Sequence, residues 1–301
     1  MGNVLILQLT MLLLILVGVF VKKKGIVSRE GQKNINDLVI YLILPCNIIK
    51  SFMIDSEGDI FRQFGLVFLI SVAVQLVSVI LGHVLYAKRE LGHKMSLQYG
   101  IICSNAGFLG NPVAEGVFGS VGLAMASIYL IPMRVMMWSS GIAIYTQSMD
   151  WKGTLKKVVT HPCIVACICG LLLMIIRIPL PEVLLRPIST IGTCNTALSM
   201  MVIGMILADV DVHTFLDLEV LCYCILRLFL MPVILYGICR LGKVPSLVTG
   251  VCTLLTAMPA GATTSILASK YHADEQFATK LVVTSTVISM ITIPIWNLVL
   301  T

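Results

Sequence analysis

Residues 100–119 read GIICSNAGFLGNPVAEGVFG, and residues 250–269 read GVCTLLTAMPAGATTSILAS. Each opens on Gly, an aliphatic run and Cys, and each is broken near its middle by Pro close to Gly. Pro112 and Pro259 lie 147 residues apart in a chain of 301, close to half its length. Proline lacks an N–H, and its ring collides with the carbonyl four residues back: Phe108 in the first stretch, Leu255 in the second. Gly107, Gly110 and Gly261 loosen the backbone further. Loosened backbone at mid-membrane is costly unless it lines a cavity or is buried in protein. Where two such half-helices face one another, their N-terminal N–H groups and positive dipole ends suit an anion.

That both stretches lie in a membrane follows from composition. Hydrophobic residues make up 58% of the chain and charged residues 12%, against about 25% charge in a soluble domain. With a mean hydropathy of +0.98, the chain has too little polar surface to face water, which excludes a large soluble domain. Apolar stretches run at about 3–21, 34–53, 63–86, 96–118, 122–147, 162–178, 188–208, 219–240, 246–268 and 277–300. Each is long enough to cross the bilayer as a helix, which predicts an all-α membrane protein of ten transmembrane helices. Lys22, Lys23 and Lys24 follow the first stretch instead of preceding it, so it reads as a span and not a cleaved leader. The segment Val27 to Asp37 is polar enough for an interfacial turn.

The two interrupted stretches are the fourth and the ninth, each the fourth of five in its half. Five is odd, so residues 1–150 and 151–301 enter the membrane with opposite orientations, as two inverted five-helix repeats. Orientation follows from Lys and Arg in the short loops. Loops one, three and five carry Lys22, Lys23, Lys24, Arg29 and Lys33, then Lys88, Arg89 and Lys94, then Lys152, Lys156 and Lys157, whereas loops two and four offer only Arg62. Both termini are therefore expected on the extracytoplasmic side of a cell inner membrane. The second half votes weakly: loop seven is acidic, with Asp209, Asp211, Asp217 and Glu219, and loop eight holds Arg240 and Lys243.

Ionisable groups inside spans are costly and mark function. Glu115 lies one turn past Pro112, either as a coupling residue or solvated near the outer interface. Arg134 lies eleven residues into the fifth span, about 16 Å from its start at 1.5 Å per residue. It either holds a substrate carboxylate in its fork of donors or pairs structurally with Glu115 or backbone carbonyls. Arg227, midway along the eighth span, is expected to pair with an acid across the bundle. Lys50, Lys270 and Lys280 lie near span ends and can snorkel. The ten cysteines sit mostly within spans as small hydrophobes, and no His or Cys set completes a metal site. Neither G-x-S-x-G nor H-E-x-x-H is present, so an enzyme is not expected.

The stretch SNAGFLGNPVAEGVFG (104–119), followed by SIYLIPMRVMMWSSGIAIY (127–145), HPCIVACICGLLL (161–173), ALSMMVIGMILAD (197–209) and AMPAGATTSILASKYHADEQFA (257–278), resembles the auxin efflux carrier family over nearly the whole chain. The resemblance implies a scaffold of helices 1, 2, 6 and 7 that forms a homodimer, and a transport domain of helices 3–5 and 8–10 in which broken helices 4 and 9 cross at the substrate. It also implies elevator-like movement. Bacterial relatives are associated with malate, malonate and similar carboxylates. By position in the family pattern Asn111 and Pro112 match the first crossover, and Met258, Pro259 and Ala260 the second; Gly110 and Gly261, which loosen the backbone beside them, join the candidate substrate site. Asn105 and Asn47 are further polar groups that could face the site. Relatives tend to carry a neutral Asn where this chain has Arg134. The expected partners are a small organic anion, the lipid bilayer and a second copy of the chain, with no cofactor, metal or nucleic acid. Two alternatives compete: a sodium-coupled symporter of the bile-acid type, which sodium dependence of uptake would reveal, and a membrane sensor, which binds without filling a vesicle.

Overall fold

The computed structural model of the chain describes residues 2–54, 59–146, 151–177, 180–208 and 217–300. Helix α1 (Gly2–Lys23) ends on Lys22 and Lys23, cations at the negative end of its dipole. Ser28 then caps α2 (Arg29–Leu38), its hydroxyl accepting the Gly31 N–H at 3.0 Å. Most of the segment expected as an interfacial turn is therefore helix. The Ser28 cap and Glu30 in the first turn, at the positive end of the dipole, help to start it, and it buries none of its side chains. A π-turn at Val39–Ile43 leads into α3 (Leu44–Ser51).

The next helix, α4 (Ile60–Leu85), has the inside-out pattern of a lipid-facing helix. Ser71, Gln75, Ser78 and Gly82 are buried, while Leu69, Leu76, Ile80 and Val84 are exposed. Small and polar groups face neighbouring helices, because lipid provides no place for them. Beyond it come α5 (Leu91–Ile102), a π-turn at Ala106–Gly110, and α6 (Asn111–Trp138), bent sharply at Gly119. With φ 67° and ψ −161°, Gly119 holds a conformation essentially reserved for glycine, and it falls between the fourth and fifth apolar stretches of the sequence.

After α7 (Ser140–Thr146), the fifth loop contains a helix of its own, α8 (Trp151–Val159). The remainder is α9 (Pro162–Ile176), α10 (Glu182–Ala208), α11 (Leu218–Cys224), a π-turn at Ile225–Leu230, α12 (Met231–Leu241), α13 (Ser246–Thr256), α14 (Thr263–Lys270) and α15 (Glu275–Leu300). Among the described residues five helices are long and apolar enough to cross a membrane: Ile60–Leu85, Ala106–Thr146, Glu182–Ala208, Leu218–Leu241 and Glu275–Leu300. Asp209 and Asp211, read as part of loop seven, lie outside the described residues.

Among the described residues the three π-turns share a cause. Each is followed directly by an α-helix with proline at its second position: Pro45 in α3, Pro112 in α6 and Pro232 in α12. The carbonyl four residues before each proline, on Tyr41, Phe108 or Leu228, falls inside the π-turn. Widening the turn moves that carbonyl off the ring, and the carbonyl then needs another donor. For Leu228 the donor is the Trp296 indole Nε1–H of α15, at 2.9 Å.

Helix α1 packs along α10, α10 along α3, and α3 along α9. Gly18 of α1 and Gly204 of α10 bring two backbones together so closely that a Cβ on either would run into the other helix's main chain. A charged cluster joins three further segments at one end of the bundle. Arg89 before α5 meets Glu219 of α11 at 2.7 Å, and His93 of α5 meets Glu219 at 2.9 Å and Asp274 at 3.5 Å. Lys280 of α15 meets Asp217 at 3.2 Å.

Candidate functional site

The fourth and ninth apolar stretches open and cross. Helix α5 stops at Ile102, and Cys103 turns extended, with φ −110° and ψ 91°. Ser104 then forms an antiparallel bridge with Ala260 in the gap between α13 and α14. The Asn105 N–H donates to the Pro259 carbonyl at 2.8 Å, and the Gly261 N–H donates to the Cys103 carbonyl at 3.0 Å. The Ala260 N–H is taken by the Ser285 hydroxyl of α15 at 3.2 Å, and the Ser104 hydroxyl points at the Met133 sulfur at 3.6 Å. Each broken stretch thus supplies backbone partners that the other lost. Two glycines permit the approach: a Cβ on Gly261 would lie 3.1 Å from the Cys103 oxygen, and one on Gly110 2.7 Å from a Leu255 methyl.

Two kinds of helix end meet at this crossing. The carbonyl ends belong to α5 and α13, and a single side chain serves both. Arg227, 1% exposed, donates from Nη1 to the Ile101 oxygen at 3.1 Å and from Nε to the Met258 oxygen at 3.2 Å. Tyr223, one turn earlier, donates its hydroxyl to the Gly100 oxygen at 2.8 Å. The amide ends begin at Asn105 and Ala262, neither of which caps its helix with a side chain.

Asn105 and Ala262 also line a small cavity with Ile203, Leu207, Val282 and Thr286. Ile203 and Thr286 are shared with a larger cavity of about 230 Å³, walled by Leu12 and Ile15 of α1, Val113 of α6, Met200 of α10, and Met290 and Pro294 of α15. Its lining is almost wholly apolar, with Thr286 and Ser289 the polar side chains on it.

The sequence-derived candidates divide between the crossing and its surroundings. Asn105, Met258, Pro259, Ala260 and Gly261 lie at the crossing itself, and Gly110 packs against α13 beside it. The first break is centred on Cys103–Asn105 and not on Pro112, which sits in the first turn of α6 after the π-turn. Asn111 is fully buried, and among the described residues its side-chain amide has no hydrogen-bond partner at either atom.

Asn47 of α3 donates to Glu115 at 2.8 Å, which ties α3 to α6. Gly192 of α10 packs on the Asn47 backbone. Three residues further along α10, buried Asn195 accepts the Ser199 hydroxyl at 3.3 Å. Arg134 is 5% exposed, and its Nη1 has no partner among the described residues. It lies within electrostatic range of His161, Cys163 and Cys167 at the start of α9, and Glu115 is bound by Asn47 instead. Arg227 differs from its sequence reading: carbonyls, and not an acid, receive its guanidinium. The available signal was an Arg at mid-span with Tyr223 four residues before it, on the same helix face.

Interrupted helices crossing inside an apolar helical bundle are an arrangement that membrane transporters use. The chain matches the family described as "Membrane transport protein" over residues 4–297 and belongs to it; this is the auxin efflux carrier family that its motifs resemble. It is 26% identical over 306 residues to an uncharacterized transporter of Methanothermobacter thermautotrophicus, with 97% of each chain covered. It is 25% identical over 303 residues to an uncharacterized transporter of Methanocaldococcus jannaschii, again with 97% of each covered. The protein is an integral membrane transporter and not an enzyme.

Proposed function

We propose that the chain carries an organic carboxylate across the cell membrane by alternating access, binding it at the crossing of its two broken helices. The observation that carries this reading is the Ser104–Ala260 bridge, which sets the amide ends at Asn105 and Ala262 on one small cavity. Amide ends and their dipoles hold a carboxylate well where water is excluded. The adjoining cavity of about 230 Å³ takes the rest of the molecule. Its apolar wall favours one charge over two, because a second carboxylate would lie unpaired against Leu, Ile and Met side chains. A monocarboxylate with a compact apolar body fits better than malate or malonate. Arg134 lines neither cavity and lies within electrostatic range of His161 at the start of α9; in this reading it holds the carboxylate in a second position, on the α9 side, as the crossing moves.

The close packing of α1, α3, α9 and α10 supports a scaffold made from predicted spans 1, 2, 6 and 7, against which the crossing moves as an elevator. In this reading residues 1–150 and 151–301 are inverted repeats, and the scaffold joins two copies in a homodimer. The test is counterflow of radiolabelled benzoate into vesicles preloaded with unlabelled benzoate, against protein-free vesicles and against malonate. Protein-dependent benzoate exchange at least about tenfold above malonate is expected, in line with the cost of an unpaired buried charge. No protein-dependent exchange of either acid would remove the carboxylate reading.

A further inference from the structure

Broken helices that cross in a membrane present four ends, and the two carbonyl ends form a ready site for a coupling cation. In this chain the site is filled from within. The last turn of α5 and the backbone just past α13 each place a carbonyl oxygen, on Ile101 and Met258, within 3.2 Å of one guanidinium. That guanidinium belongs to Arg227, which is 1% exposed and stays charged at any accessible pH. Tyr223 takes the neighbouring Gly100 oxygen, so three carbonyls of the broken region are satisfied by one helix face. The Met231 sulfur, one turn further along at the start of α12, lies 3.9 Å from Nη1. A charged donor between two negative dipole ends gains what a metal ion would gain there, and its tether removes the need to recruit one.

We propose that Arg227 is a built-in replacement for a coupling cation, so that the crossing binds no sodium ion and exchange of the substrate anion is independent of sodium. This deepens the transport reading given above and separates it from sodium-coupled symport. The cation test itself needs no substrate.

Purified wild-type protein is heated with choline chloride replaced by sodium chloride at constant ionic strength. The midpoint is expected to stay within about 1 °C, because a ligand with no site on the folded state gives no mass-action shift. In Arg227→Ala the same exchange is expected to raise the midpoint by about 3 °C or more, and low-millimolar guanidinium should do so at least as well. A sodium-specific rise in the wild type overturns the proposal, as does a folded Arg227→Ala that responds to neither cation. Should Arg227→Ala not fold, Arg227→Lys and the wild type decide: both are expected to be indifferent to sodium, and a sodium response in either overturns the idea. A tenfold loss of benzoate counterflow on replacing sodium by choline overturns it too. Absence of counterflow under every salt strikes only at the choice of substrate.

Discussion

Arg134 is buried, charged at any accessible pH, and among the described residues short of a partner at Nη1. An unpaired Arg at mid-membrane costs roughly 2.5–3.5 kcal/mol even on insertion scales, so a residue kept only for stability would have found an acid. Glu115 is spoken for, because Asn47 donates to it at 2.8 Å. Arg134→Gln is therefore expected to leave thermal stability unchanged or raise it, while benzoate counterflow falls by about tenfold or more. A destabilised variant with normal exchange per folded molecule would assign Arg134 to structure. The opposite sign is expected for Asn47. Removing its amide by Asn47→Leu strands a carboxylate and should cost about 1–3 kcal/mol in detergent unfolding. Adding Glu115→Gln should recover part of that loss, since a neutral amide is cheaper to leave short of a partner than an anion. Equal losses in the single and double variants would mean that the bond is incidental.

At the scale of elements, the interruptions determine what each helix can do. Trp296 supplies the Leu228 carbonyl with the donor that Pro232 cannot give. Trp296→Phe should thus cost about 1–2 kcal/mol beyond its packing loss, and less in a Pro232→Ala background where the helix can satisfy itself. Additive effects in that double-mutant cycle would sever the link between proline and indole. The two prolines of the broken stretches differ in the same way. Pro259 lies in the crossing and its carbonyl receives the Asn105 N–H, whereas Pro112 lies seven residues past Asn105 in a helical turn. Pro259→Ala should cut benzoate counterflow about tenfold by letting α13 extend, and Pro112→Ala should cut it less; the reverse order would move the site toward Asn111. This difference marks the limit of what the sequence discloses. Proline and glycine chemistry is local, so the right two stretches could be picked out from residues alone. The point where the first one opens, at Cys103–Asn105, is created by pairing with Pro259–Gly261, which no local rule contains. For the same reason Arg227 looked in need of an acid: its real partners are carbonyls that exist only once both helices have broken.

For the whole molecule, the charged cluster constrains which loops share a side. Arg89 and His93 near the start of α5, Asp217 and Glu219 at the start of α11, and Asp274 and Lys280 around the start of α15 are joined by contacts of 2.7–3.5 Å. His93 also stacks on Phe277 with ring centres 3.7 Å apart. The ambiguous acidic loop seven of the sequence is thereby tied to the Lys- and Arg-rich loop three. Burial alone would raise the Asp217 carboxyl, but Lys280 and the N–H groups of Glu219 and Val220 outweigh it and hold it below the usual carboxylate range. Its contribution is then present above the unfolded value near 3.9 and is lost as pH falls through the lowered one, so the Asp217–Lys280 pair stays intact at neutral pH. If loop three is cytoplasmic, as its positive charge argues, loops seven and nine are cytoplasmic as well, and a ten-span chain has both termini outside. The measurement is labelling of single cysteines in a background without the ten native ones. Reporters at Lys88 and His272 should react with an impermeant maleimide only after the membrane is opened, and a reporter at Arg186, before the apolar part of α10, should react in intact cells. Labelling of Lys88 and His272 from opposite sides would be incompatible with the ion pairs; labelling of both from outside would keep the fold and invert the orientation.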